Sequence, residues 1–463
     1  MTTKEIKWTI FVITAIGNFI AMLDSSSVNL ALYPMSVDFQ VSMGEIQWVM
    51  VAYMLILTVF LPFFGKLGDI FPKNKLYAIG FLIFALGAFL NTTATSFGFL
   101  ITYRCIEAFG ASVMLSNAQA IIASIFKNEK RGKALGLNGC IIALGGMSGP
   151  ALGGILINFC GWRAIFYPSI LIACLGIYFA YKFLPRSFKF DFVNFKFDYK
   201  GFIYFTISLF ALLLAISEGH IWGWSSLKII FLGILAFVFG ALFYYRDNRI
   251  NYPLIDFEMF KIKQFTFGNL AVMTSYIAML TNSILLPFFM QDILKFSPLV
   301  TGLLILPYSI ILIFTAPISG RLSGRYGSRY LTLSGSVVFT LSLILFTLYD
   351  KNVTMWQICL GTAIMGLGNG LFQSPSNNAI MTSVPKEDLG IASGILALSR
   401  NMGHILGVSF AITLFETFKN ILITQNFDYG TSFLYSYKIT MCFGIMFGVI
   451  CLVFANLAYR KKY

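Results

Sequence analysis

Long apolar segments recur along the whole chain, and this repetition constrains the fold more than any other feature. A helical run of roughly 20 apolar residues matches the hydrocarbon thickness of a bilayer. Helices also satisfy their own backbone hydrogen bonds in lipid. The pattern therefore predicts an all-α membrane protein with about fourteen transmembrane helices. The predicted spans lie at 8–33, 46–65, 76–96, 98–125, 134–158, 163–184, 199–217, 227–245, 266–290, 299–320, 331–349, 354–380, 390–416 and 437–459.

Composition and charge agree with a membrane setting. The chain is 58% hydrophobic and only 11% charged, whereas soluble domains carry about 25% charged residues. The net charge of +14 does not indicate nucleic-acid binding, because the Lys and Arg residues lie in short loops between apolar runs. Most of these residues fall on one side of the predicted topology, as the positive-inside rule requires. We expect a multi-pass protein of the plasma membrane, with both termini cytoplasmic.

A short sequence pattern that occurs twice, an internal echo, predicts that the chain has two related halves. The loop after span two begins Gly65-Lys-Leu-Gly-Asp69, and the loop after span ten begins Gly320-Arg-Leu-Ser-Gly. Span ten corresponds to span two if a second set of six helices starts at span nine. Paired six-helix halves with a substrate held near the midplane are a transporter plan. The predicted division is an N-terminal six-helix half at 1–190, two inserted linker helices at 191–250 and a C-terminal half at 251–463.

Few residues are available for enzymatic or metal chemistry. The chain has two His residues, and its seven Cys residues lie inside or beside apolar runs without metal-type spacing. We expect no catalytic residue, no metal and no cofactor, with transport driven by a proton gradient. A membrane-embedded lipid enzyme would need a cluster of reactive side chains, and a sensor or scaffold would need a soluble domain; neither is visible. The expected partners are a small-molecule substrate, protons and membrane lipids, in a monomer.

Three ionisable residues within predicted spans are candidates for coupling. Asp24 lies near the middle of span one, where low dielectric favours proton uptake and an approaching cation favours proton release. Arg104 and Glu107 lie three residues apart, on one face of span four. Their pair is either a protonation switch or a fixed pair that joins two helices. For Asp24, the alternative is a structural hydrogen bond to the hydroxyls that follow it.

Span thirteen carries a second set of candidates. Arg400, Gly403, His404 and Gly407 follow helical spacing and share one face. The glycines allow another helix to approach closely, and an imidazole titrates near neutrality. Arg400 and His404 are possible residues of the substrate path, although a single His is more often structural and an Arg near a helix end can extend to the membrane surface.

Glycines mark two candidate gating elements. Gly145, Gly149 and Gly153 repeat every four residues in span five, next to Pro150 and Gly154. Small residues at this spacing let two helix backbones touch, and the proline kinks its helix. A rocking interface between halves and a purely structural seam both fit. The second element, the loop with Gly65, Asp69 and Lys73, is either a charge relay or ordinary positive-inside anchoring.

These motifs resemble the major facilitator superfamily, in its fourteen-span drug:proton antiporter branch. The resemblance covers essentially the whole chain. It departs where Ile70 and Pro72 replace an Arg and a Gly of the loop motif, and where Glu107 replaces a Gln. The family's first-span motif matches Leu23, Asp24, Asn29, Ala31 and Leu32; its span-four motif falls on Arg104, Glu107, Ala108 and Gly110; its antiporter motif matches Gly145, Gly149, Pro150, Gly153 and Gly154.

The resemblance implies alternating-access export of a lipophilic, often cationic compound against an inward proton flow. Asp24 would be the cation and proton site, Arg104 would assist proton transfer, and Asn29 would lie on the substrate path. A second hypothesis is an exporter dedicated to one native metabolite, lipid or peptide. The residues leave both open.

Overall fold

The computed structural model describes residues 3–68, 71–126, 129–184, 198–250, 255, 257–385 and 389–459. Within these ranges the protein contains helices and no strand, which confirms the all-α prediction. The chain forms two compact units, one of residues Met1–Phe197 with Ser297–Leu303 and one of Asp198–Phe296 with Leu304–Tyr463.

Unit 1 contains seven α-helices in its described part, six of them long. A 3₁₀ turn at Trp162–Phe166 precedes the last one. Helix α1 packs mainly on α6, and also on α5 and α7, whereas α4 lies between α5 and α7. The helices are α1 (Thr3–Phe39), α2 (Met43–Ile46), α3 (Trp48–Leu67), α4 (Lys73–Thr92), α5 (Phe97–Ile125), α6 (Glu129–Cys160) and α7 (Tyr167–Phe183).

Unit 2 contains the remaining described helices, except that the first residues of α11 belong to unit 1. Helix α10 packs on α13, α14 and α15, and α8 packs on α9 and α14. The helices are α8 (Tyr199–Trp222), α9 (Leu227–Asp247), α10 (Lys263–Phe288), α11 (Pro298–Tyr326), α12 (Ser328–Thr347), α13 (Met355–Thr382), α14 (Leu389–Thr424) and α15 (Tyr429–Ala458).

Each predicted span overlaps one long helix of the described chain. Among the described residues, twelve helices are long enough and apolar enough to cross a membrane. The apolar part of α6, Leu144–Cys160, is shorter, and α13 does not reach the same criterion. The count of fourteen spans therefore stays a prediction, as does the division at residues 190 and 250. The predicted inserted pair corresponds to α8 and α9.

Glycines bring neighbouring helices into backbone contact in both units. In unit 1, a side-chain carbon at Gly87 of α4 would overlap the backbone of Glu107, and one at Gly110 of α5 would overlap Phe84. In unit 2, Gly335 of α12 and Gly368 of α13 make the corresponding approaches to Phe372 and Phe339. The same crossing thus recurs eight helices later, in line with the internal echo.

A second seam joins α6 to α1. A side-chain carbon added at Gly145 would lie 2.5 Å from the backbone oxygen of Phe19, and one at Gly149 would overlap Ser26. Gly153 faces Ser27, with a hypothetical Cβ 3.3 Å from the serine Cβ. The three glycines therefore pack along the part of α1 that contains Asp24, and this close contact lies inside unit 1.

The seam predicts a difference between two glycines of α6 that lie three residues apart. Gly149→Ala should lower the free energy of unfolding by about 1–3 kcal/mol, because the new methyl group overpacks the contact with α1. Gly146→Ala is the matched control, since nothing lies within 4 Å of its added carbon and both changes gain the same helix propensity. Thermal unfolding of the purified variants in detergent measures the effect. Equal melting temperatures for the two variants would contradict this packing.

Candidate functional site

A buried ion triad joins α1 to α5 in unit 1. The Arg104 Nη1 donates to Asp24 Oδ2 at 2.6 Å and to Glu107 Oε2 at 2.7 Å. The three side chains are 1%, 0% and 0% exposed. Arg104 and Glu107 share a helix face, as their spacing predicts. The structure adds Asp24, which comes from another helix and binds the same guanidinium nitrogen.

The hydroxyls after Asp24 do not account for its position. Ser26 Oγ donates to the Met22 carbonyl oxygen at 2.8 Å, and Ser27 Oγ donates to the Leu23 carbonyl oxygen at the same distance. Both bonds stay within the preceding turn of α1, a common arrangement for hydroxyls in helices. The partner that fixes the Asp24 carboxylate is therefore Arg104.

Neighbouring helices hold the rest of the triad. Asn91 of α4 donates from Nδ2 to Glu107 Oε2 at 2.6 Å, at the crossing that Gly87 permits. The Arg104 guanidinium carbon lies 4.2 Å from the ring centroid of Tyr53 in α3, a cation–π geometry. Sequence reasoning missed Asn91 and Tyr53. The sequence did contain a signal for Asn91: it is an amide within an apolar span, and a buried amide usually has a polar partner.

The charges of the triad do not balance when both carboxyl groups are ionised. Two carboxylates then face one guanidinium, which leaves one net negative charge in a buried site. Asp24 Oδ1 and Glu107 Oε1 are buried and receive no hydrogen bond from a donor in the described chain. The two carboxyl groups bind the same guanidinium nitrogen. One proton on either carboxyl group would neutralise the site, so the arrangement is suited to binding and releasing a proton.

Unit 2 places the span-thirteen candidates beside α10. A side-chain carbon at Gly403 would lie 2.5 Å from the Met273 backbone oxygen, and one at Gly407 would lie 2.9 Å from Leu280 Cβ. This confirms the expectation that these glycines allow close helix approach. The contact places the partly exposed His404 ring against Tyr276, with centroids 4.7 Å apart. Arg400, also partly exposed, lies one helical turn before His404.

Comparison with known proteins decides the family. The sequence profile of the Major Facilitator Superfamily matches residues 14–245, 199–408 and 268–462. The chain belongs to the Major Facilitator Superfamily. It is therefore a multi-pass membrane protein, and its family indicates a transporter of small molecules rather than a catalyst.

Several curated proteins resemble this superfamily member over most of their length. The riboflavin transporter RibZ of Clostridioides difficile (strain 630) is 33% identical over 426 residues, covering 92% of this chain and 91% of the relative. The multidrug resistance protein Stp of Mycobacterium tuberculosis (strain ATCC 25618 / H37Rv) is 30% identical, covering 85% and 73%. The multidrug transporter protein MdtP of Bacillus subtilis (strain 168) is 27% identical, covering 89% and 75%.

A solved structure supports the fold alone. A bacterial homologue of the human lysosomal transporter Spinster superposes with a TM-score of 0.70 at 16% identity, covering 98% of this chain and 96% of that one. Membership of the fourteen-span drug:proton antiporter branch stays a prediction.

The predicted gating residues of this superfamily member differ in how closely they pack against their neighbours. Pro150 and Gly154 of α6 lie against residues 297–303, which belong to the same unit: a side-chain carbon at Gly154 would lie 2.9 Å from the Pro298 backbone oxygen. Asp69 lies outside the described residues. Gly65 makes only ordinary contact with Ser116.

Sequence reasoning missed Gly68, which makes a closer helix contact than the loop candidate Gly65. A side-chain carbon at Gly68 would overlap Asn117, whose Nδ2 donates to the Phe64 carbonyl oxygen at 3.0 Å. Lys73 is buried at the start of α4, and Asn29 is partly exposed on α1. The tight contact at this end of unit 1 therefore belongs to Gly68. The gating roles of Gly65, Asp69, Lys73 and the α6 residues stay predictions.

The triad predicts a rescue experiment. Arg104→Met should lower the free energy of unfolding by about 3–5 kcal/mol, because it leaves two buried carboxyl groups without their cation. Adding Glu107→Gln should recover part of that loss, since only one carboxyl group then remains. Melting temperatures of the single and double variants in detergent measure the difference. A double variant no more stable than Arg104→Met alone would show that the ion triad does not operate as a unit.

Proposed function

We propose that this chain is a proton-coupled exporter that moves a small organic molecule outward in exchange for protons, by alternating access. The observation that carries the proposal is the buried triad of Asp24, Arg104 and Glu107, in which two carboxyl groups bind one guanidinium nitrogen. In this proposal, the protein lies in the plasma membrane with both termini cytoplasmic. The protein acts as a monomer and needs no cofactor.

The proposed proton site is the pair of carboxyl groups on either side of Arg104. A proton that enters the pair converts the triad from one net negative charge to neutrality, and its departure restores the negative charge. Because the site is buried, each charge state favours different surroundings, which gives the alternating conformations different energies. Inward movement of one charge across the membrane is worth about 2.3 kcal/mol per 100 mV, and this energy drives export.

The proposed substrate has two candidate classes. Lipophilic cations are one class, supported by relatives named multidrug transporters. A single native metabolite is the other, and a specific observation favours it: the relative named a riboflavin transporter matches 92% of this chain at 33% identity. The ion pair between Asp24 and Arg104 also affects the choice between these classes. Asp24 already binds Arg104, so a cationic substrate would compete with the guanidinium for this carboxylate.

Transport by reconstituted protein tests the coupling. Purified protein in liposomes receives an inward proton gradient, while the efflux of riboflavin or ethidium and the internal pH are followed by fluorescence. We expect gradient-driven efflux with proton influx for the wild type. Glu107→Gln leaves a neutral Asp24–Arg104 pair that no longer needs a proton, so we expect at least about a tenfold loss of gradient-driven efflux. Exchange of labelled for unlabelled substrate without a gradient should persist. Asp24→Asn should lose proton-driven efflux as well.

Exposed carboxyl groups provide matched controls. Glu258→Gln removes a carboxylate that is 73% exposed, and Asp428→Asn changes the exposed N-cap of α15 to another good capping residue. Both controls should transport like the wild type. Gradient-driven efflux that survives Glu107→Gln and Asp24→Asn in full would refute the triad as the proton site.

A further inference from the structure

We infer that unit 2 carries a substrate-binding site for an uncharged planar heteroaromatic molecule, formed by the Tyr276–His404 ring pair and the amide of Gln373. The inference rests on the proposed transport function and deepens it, because it names a class of substrate and the residues that would select it.

The ring pair has the geometry of a stacking surface. Tyr276 and His404 lie with centroids 4.7 Å apart and planes inclined by 40°, and both side chains are partly exposed. The Gly403 contact sets this spacing, since a side-chain carbon there would lie 2.8 Å from Tyr276 Cβ. Flat aromatic side chains bind other flat ring systems by offset stacking. Two rings fixed by helix packing are already ordered, which reduces the entropy cost of binding.

One amide bonds to the ring pair, and a second amide, bonded to a phenol, lies one helical turn away on α13. Gln373 Nε2 of α13 donates to the Tyr276 hydroxyl at 3.2 Å. One helical turn earlier, Asn369 Nδ2 donates to the Tyr308 hydroxyl at 2.8 Å and contacts the Met279 sulfur at 2.9 Å. Amides and hydroxyls of this kind donate and accept hydrogen bonds. They match the alternating N–H and C=O groups at the edge of a heteroaromatic ring.

An unpartnered atom points to a missing hydrogen bond. His404 Nδ1 is buried and makes no hydrogen bond within the described chain. Buried polar atoms without a partner are uncommon and costly. A ligand whose edge carries both donors and acceptors would satisfy this nitrogen in either tautomer of the imidazole.

The charge of this cluster argues against a cationic ligand. The side chains joined by these contacts are phenols, amides, a thioether and an imidazole, and none of these side chains is acidic. Arg400 lies one turn from His404 on the same helix face, and its positive charge disfavours a second cation nearby. In unit 1, by contrast, the Asp24 and Glu107 carboxylates already bind Arg104. The structure therefore favours an uncharged ring system over a lipophilic cation.

Equilibrium binding tests the site separately from proton coupling. The full chain is purified in detergent at neutral pH with no gradient, and riboflavin, an uncharged tricyclic heteroaromatic, is titrated by its fluorescence. We expect saturable binding that Tyr276→Leu weakens about tenfold, the scale of one heteroaromatic–aromatic stacking contact. Tyr276→Phe keeps the ring and should retain most of the affinity. Tyr330→Leu is the matched control, because Tyr330 is 76% exposed on α12.

Ethidium, a planar cation, is the competing probe. We expect it not to displace riboflavin from the wild type at equal concentration. A melting temperature measured for each variant separates lost binding from lost folding. If Tyr276→Leu does not fold, Gln373→Leu tests the same site by removing its amide. Three results would overturn the inference: no saturable riboflavin binding, equal affinities for Tyr276→Leu and Tyr330→Leu, or displacement of riboflavin by ethidium. None of these bears on proton coupling, whose test is gradient-driven efflux.

Discussion

A single guanidinium shared by two carboxyl groups is the interaction on which the first unit depends. In low dielectric, an unpaired charge is far more costly than a paired one, so Arg104 cannot remain buried without Asp24 and Glu107. The neighbouring helices are arranged around this requirement: Gly87 brings α4 close enough for Asn91 to bind Glu107, and Tyr53 covers the guanidinium. Glycines of α6 pack along α1 on both sides of Asp24. The close helix contacts therefore hold the residues of the ion triad in place.

The second unit uses different chemistry on the same helical plan. Its α12–α13 crossing repeats the glycine contacts of α4–α5: where Gly87 meets the charged Glu107 in the first unit, Gly335 meets the uncharged Phe372 in the second. The groups that hydrogen-bond or stack beside its α10–α14 ring pair are neutral amides and phenols. Duplication of a helical plan with divergent polar residues is consistent with a transporter in which one unit binds the proton and the other recognises the substrate.

Local patterns in the sequence were sufficient for the helices and for part of the site. Apolar run length predicted each long helix, because span length is set by the bilayer rather than by tertiary contacts. The three-residue spacing of Arg104 and Glu107 predicted their pairing. The partnership of Asp24 with Arg104, the support from Asn91, and the contact of His404 with Tyr276 depend on helix neighbours, which spacing within one segment does not specify. For the same reason, the glycine repeat of α6 indicated a close contact without identifying α1 as its partner.

The central claim is that the two carboxyl groups around Arg104 bind and release one shared proton. Infrared difference spectroscopy of the purified protein measures this directly, because a protonated carboxyl group has a C=O stretch distinct from that of a carboxylate. The account predicts a protonated-carboxyl band at neutral pH that Glu107→Gln removes and Glu258→Gln leaves in place. A wild-type spectrum without that band would mean that both carboxyl groups are ionised around Arg104, and the triad would then be a fixed structural element rather than a proton site.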